Sequence, residues 1–155
     1  MSLCDSYKRK SGLILLAIAL AIVPVLNAYA IDNPDAPDYL GQFASREKQY
    51  IEKINDPKNT DKAYLIAYDD YLLFLDQELN SAYKLLMTKL PEGQREAFKG
   101  SQKKWIQFRD AEFGYINGNW TRESFGSSAG ISRGAYRSDI VKNRVLQMLH
   151  YLKNY

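Results

Sequence analysis

Residues 61–90, DKAYLIAYDDYLLFLDQELNSAYKLLMTKL, contain neither glycine nor proline. Within them Leu65, Tyr68, Leu72, Leu75, Leu79, Ala82 and Leu86 recur at alternating spacings of three and four. That period predicts one long helix with an apolar seam that must face another helix. Tyr64, Tyr71 and Phe74 broaden the stripe. Such rings usually belong to a core, with hydroxyls reaching its edge.

Working outward, Pro91 opens a second helix, where its missing N–H costs nothing. This helix is expected to reach about Ile116 through Phe98, Trp105, Phe108, Ala111 and Tyr115. The connection from Lys89 to Glu92 is short, so the two helices should form an antiparallel hairpin. A last helix is expected from Ala135 to Lys153, with Val141, Val145, Met148 and Leu152 on one face. Upstream, Ser45 is the expected N-cap of a short helix ending at Asn55, and Asn55 to Thr60 reads as a turn. Residues 31–43, with two prolines and three aspartates in their first eight positions, read as an extended, mobile tail. Residues 117–134, NGNWTRESFGSSAGISRG, lack helical period and read as a long loop carrying Trp120, Arg122 and Phe125. The expected fold class is all-α: a helical hairpin plus a short N-terminal and a C-terminal helix, in a small bundle without disulfides.

The full chain has 155 residues, one domain's length, and 46% apolar composition excludes disorder. Residues 1–30 have the three parts of a secretory signal peptide. Lys8, Arg9 and Lys10 are basic, Leu13 to Leu26 is uncharged and apolar, and Ala28-Tyr29-Ala30 is a small-x-small cleavage signal. The apolar run has 14 residues, short of the ~20 that a spanning helix needs. The membrane would then be met only through the leader before cleavage. Cys4 precedes that run and cannot be a lipoprotein cysteine, which follows it. Residues 44–155 are read as one domain of a periplasmic or secreted bacterial protein.

Three of the 21 basic and one of the 18 acidic residues lie in the leader, which leaves 18 against 17. A near-neutral mature chain gives no reason to expect nucleic acid. The charge is uneven, however: residues 31–90 carry 11 acidic and 7 basic side chains, and residues 91–155 carry 6 and 11. Either the halves pack so that their fields partly cancel, or an acidic face awaits a basic partner.

Covalent and metal chemistry are poorly provided for. The mature chain lacks cysteine, and its one histidine, His150, sits near the chain end. Zinc-ligand spacing, Walker glycines and Rossmann glycines are absent from the sequence, so neither metal nor cofactor is expected. Asp69 or Asp70 with Glu78 could formally form a glycosidase pair, but any acidic helix offers such pairs. An enzyme acting on cell-wall material is therefore disfavoured.

One constellation is more specific. Gln102, Trp105, Arg109 and Glu112 share a helix face at spacings of three, four and three. Asn80 and Tyr83 could stand across the hairpin seam, and Arg109 could pair with Glu112. The stripe reads either as a polar clamp fixing helix register or as a ligand site, and such groups normally come as a satisfied set.

Two blocks carry a resemblance. Leu79-Asn80-x-x-Tyr83-x-x-Leu86-Met87, then Ser101-Gln102-x-x-Trp105-Ile106-x-Phe108-Arg109-Asp110-Ala111-Glu112, resemble the LprI-like family of small exported bacterial proteins, which includes a lysozyme inhibitor. Arg144 stands in the place of a family arginine. The resemblance implies a cysteine directly after the Arg-Asp-Ala-Glu block and a second in the final helix; here Phe113 and Tyr136 occupy those places. A Phe113–Tyr136 contact is the expected replacement for that disulfide. The resemblance further implies a non-enzymatic binding protein whose partner is a protein, a lysozyme in the named case. Trp120, Arg122 and Phe125 are the expected anchors, since aromatics and arginine make typical interface contacts. The alternative is an envelope structural or regulatory protein that binds another envelope protein or its own copy.

Overall fold

A computed structural model describes residues 33–155; the expected leader, residues 1–30, lies outside the described residues. Five helices follow one another: α1 (Tyr39–Ile54), α2 (Asp61–Lys89), α3 (Glu92–Asn119), α4 (Arg122–Phe125) and α5 (Ser128–Leu152). No strand occurs among the described residues. The protein is an all-α bundle, and none of its described helices is long and apolar enough to cross a membrane.

Local chemistry sets the boundaries. Thr60 caps α2, its side chain accepting from the Ala63 N–H at 3.3 Å. Asp38, not Ser45, caps α1, accepting from the Gly41 N–H at 2.9 Å. Ser45 instead donates back to the Gly41 carbonyl one turn earlier. The segment expected to be extended through residue 43 is therefore helical from Tyr39, and Phe43 is fully buried. Before that helix, the Asn33 N–H donates to the Lys153 carbonyl at 2.9 Å, tying it to the end of α5.

The expected 117–134 loop is largely helical. Helix α3 continues to Asn119, Thr121 caps the single turn α4, Gly126 reverses the chain at φ +62°, and α5 begins at Ser128. Its serines and glycines hide a helix because packing overrides their low propensity. A Cβ at Gly130 would meet Leu65 at 2.4 Å, and one at Gly134 would meet Tyr68 at 2.6 Å. The glycines let α5 press against α2.

The pairs Leu65/Gly130 and Tyr68/Gly134 advance together, so α2 and α5 run parallel. They form the central pair. Helix α1 returns antiparallel along one side, through Arg46 to Glu78 and Lys53 to Asp70. Helix α3 descends on the other side, linked to α2 by Tyr83 on Phe98 and to α5 by Gln102 on Arg144. The hairpin of α2 and α3 is thus present, but the close backbone partner of α2 is α5.

The core lies between α1, α2 and α5. Phe43, Leu75, Leu86, Val145, Met148 and Leu152 are fully buried there. Burial of each such side chain stabilises by about 1.5–3 kcal/mol. Helix α3 is different, since only Gln102 and Ile116 of it are buried. One buried polar knot links the three core helices: Tyr71 donates to Glu47, which also accepts from Lys142 Nζ at 2.8 Å. Burial first, then the Glu47 carboxylate, holds the Tyr71 phenol far above its usual pKa. The Glu47–Lys142 pair also joins the acidic and basic halves of the chain.

Candidate functional site

Where α3 ends, four rings gather. Trp120 packs tilted against Tyr136 at 4.5 Å between centroids, with Phe125 stacked at 6.4 Å and Tyr115 edge-on at 6.2 Å. Trp120 itself is half-buried, while Tyr115, Phe125 and Tyr136 are 62%, 47% and 46% exposed. Soluble surfaces rarely gather large rings without use. The cluster is held in place from beneath, because Arg133 Nη1 donates to the Trp120 carbonyl at 2.6 Å. Exposed Arg122 stands beside it, where it lines a shallow depression with Leu65 and Arg133. Trp120 sits in the two-residue bend between α3 and α4, Phe125 ends α4, and together they form an aromatic cap at one end of the bundle, outside the main core. Tyr115 and Tyr136 belong to it but were hidden from sequence reading, one inside a helical stripe and the other in a supposed disulfide position.

The polar stripe of α3 resolves into a ladder. Along it, Phe98, Trp105 and Phe113 alternate with Arg144, Arg109 and Arg137. Arg144 lies 5.9 Å from the Phe98 ring and 5.7 Å from Trp105; Arg109 lies 5.6 Å from Trp105 and 5.9 Å from Phe113; Arg137 lies 5.5 Å from Phe113. Each stack contributes about 0.5–1 kcal/mol when partly exposed and more when dry. Gln102 completes it, accepting from Arg144 Nε at 3.0 Å. So α3 is joined to α5 through rings and guanidinium planes rather than through aliphatic packing.

Several expected partners differ. Arg109 pairs with its neighbour Asp110 at 2.7 Å, not with Glu112. Asn80 is exposed and bonds the Asp76 carbonyl of its own helix, so it does not cross the seam. Tyr83 does cross it, stacking on Phe98 at 5.7 Å, and Leu79 is core. Phe113 and Tyr136 do not pair: Phe113 is taken by two arginines and Tyr136 by Trp120. Successive residues of a helix point about 100° apart, and it is Arg137, not its neighbour Tyr136, that α5 turns toward Phe113.

Electrostatically this side of the molecule is arginine-rich. Burial lowers the pKa of Arg144, and burial with neighbouring Arg133 lowers that of Arg137. Among the described residues no group of histidines and carboxylates could hold a metal ion. Asp70 and Glu78 are engaged by Lys53 and Arg46, which leaves no free carboxylate pair among Asp69, Asp70 and Glu78.

Comparison with known proteins gives one result. The family described as lysozyme inhibitor LprI matches residues 54–148, from the end of α1 to near the end of α5. No curated protein and no solved structure matches the chain.

Proposed function

The chain belongs to the lysozyme inhibitor LprI family, and on that premise we propose that it is an exported, non-enzymatic periplasmic protein that inhibits a lysozyme by covering its cleft. The docking element is the aromatic cap of Trp120 and Phe125 with Arg122. The observation that carries this reading is the exposure of Tyr115, Phe125 and Tyr136 around a firmly held Trp120. Rigid aromatics give contact area at low entropic cost, and preorganisation reduces what binding must spend on ordering. The cap lies in the arginine-rich half, so it suits the acidic groups of an enzyme cleft that cuts glycosidic bonds with carboxylates. The acidic side chains of α1 and α2 would act at longer range, on encounter with a basic enzyme.

The test is a bacterial-cell lysis assay with chicken-type and goose-type lysozymes, titrated with the mature protein. Dose-dependent protection is expected; full lysis at a large molar excess would overturn the reading.

A second reading, an envelope protein binding another protein or its own copy, draws on exposed Leu65, Ile66 and Leu73 of α2. Mass rising with concentration in light scattering would favour it.

A further inference from the structure

Arg144 is only 6% exposed. Its guanidinium donates to Gln102, to Gln147 at 2.6 Å and to Ser101 at 3.5 Å, all neutral acceptors. Among the described residues it forms no ion pair. A buried charge balanced only by amides and rings is costly. This one lines a groove of about 600 Å³ between α3 and α5. Trp105, Phe108 and Tyr151 stand around it, with the polar groups of Asn143, Gln147 and His150. The groove shares Ile140 and Asn143 with a second one of about 280 Å³, which continues to Trp120, Tyr115 and Tyr136. Together they make one channel along the outer face of α5, cationic at one end. At the other end its lining includes the carboxylates Glu112 and Asp139 beside the rings.

We propose that this α3/α5 channel binds a carboxylate-bearing oligosaccharide, its acid group on Arg144 and its sugar faces on the aromatic banks. Both remaining guanidinium donors, one on each terminal nitrogen, suit a carboxylate. Exposed ring faces suit the apolar faces of sugars, and amides and carboxylates suit their hydroxyl and acetamido groups. Glu112 and Asp139 lie in the groove away from Arg144, so they disfavour a ligand charged along its whole length, such as an acidic peptide, and accept from the hydroxyls of a sugar whose acid group sits at the Arg144 end. The combined space falls in the range of small-ligand clefts. This proposal needs no protein partner, so it stands or falls apart from lysozyme inhibition.

The protein has two tryptophans, Trp105 and Trp120, and they line the two ends of the channel, so intrinsic fluorescence reads occupancy directly. The probes are a trisaccharide with one N-acetylmuramic acid between two N-acetylglucosamines, the neutral N-acetylglucosamine trimer, and an oligoglutamate peptide. The acidic sugar should bind saturably and about tenfold more tightly than the neutral one, the worth of one charge-assisted contact. Arg144→Gln should abolish that preference. Phe108→Ala, at an exposed position that spares the fold, should weaken both sugars. No fluorescence change at millimolar acidic sugar would overturn the proposal, as would tighter binding of oligoglutamate. If Arg144→Gln does not fold, Phe108→Ala decides: unaltered affinity for the acidic sugar refutes the site.

Discussion

Gly134 of α5 lies so close to Tyr68 of α2 that a Cβ added to the glycine would stand 2.6 Å from the tyrosine Cβ. That atom is fixed to the α2 backbone and cannot swing away. Gly134→Ala should therefore destabilise by about 1–3 kcal/mol, the usual cost of overpacking, despite alanine's better helix propensity. At Gly130 the nearest atom is the end of the Leu65 side chain, at 2.4 Å, and a rotamer change relieves it. Gly130→Ala should cost less. Gly114 of α3 has nothing within 4 Å of an added Cβ, so Gly114→Ala should stabilise by about 0.5–1 kcal/mol. Urea denaturation midpoints of the three variants test this order.

The ladder predicts that α3 is held through Trp105. Trp105→Ala removes a face from both Arg109 and Arg144 and leaves the latter buried against amides. A loss of roughly 2–4 kcal/mol is expected, a little below the ~3–5 kcal/mol of a fully buried aromatic truncation because Trp105 is half-buried. Trp105→Phe should restore most of it. Amide hydrogen exchange in the alanine variant should rise first in α3, since only two of its residues are buried. Uniform loss of protection across all helices would refute the assignment.

The Tyr71–Glu47–Lys142 knot predicts a pH response. The folded-state pKa of Tyr71 is raised above its unfolded value near 10, so the native state holds the phenolic proton more tightly. Its contribution is complete below pH ~10 and is lost as pH rises above that. Tyr68, also raised by burial first, adds in the same direction. Tyr71→Phe should lower stability by about 1 kcal/mol at neutral pH and flatten the fall of Tm between pH 9 and 11, two units centred on that unfolded value. An unchanged alkaline slope would exclude Tyr71 as its source.

Interface anchors should separate from structural residues. Trp120→Ala is expected to weaken lysozyme inhibition by about thirtyfold, a hot-spot loss of ~2 kcal/mol. Its backbone carbonyl, which holds Arg133, is retained. Phe125→Ala and Arg122→Ala should act in the same direction, and Leu73→Ala, in a separate groove lined by Arg109 and Phe113, should not. An inhibition constant unmoved by Trp120→Ala would place the contact elsewhere.

Helices with a strong apolar period were legible in sequence. The seam from Leu65 to Leu86 marked α2, and the turn from Asn55 to Thr60 marked where it starts. The region from Asn117 to Gly134 was not legible, because two of its four glycines, Gly130 and Gly134, sit in a helix packed tightly on Leu65 and Tyr68, a tertiary fact. Similarly, Asp38 could be recognised as a cap only once Phe43 was seen to be buried. For the candidate site, Trp120 and Phe125 were visible as rings outside any period. Tyr115 and Tyr136 were not, since a ring on a helix looks alike whether it faces core or solvent. The arginines of α5 read as ordinary helix charges, and their stacking depends on which rings of α3 meet them.

The ring and guanidinium ladder has one more consequence. Its contacts are non-covalent, and residues 31–155 contain no cysteine to cross-link. Nothing in the stability of these residues waits on an oxidant. Thiol reductants, a change of compartment or the loss of a disulfide-forming enzyme should leave its melting curve where it was. Its folding is thus uncoupled from the redox state of wherever it works.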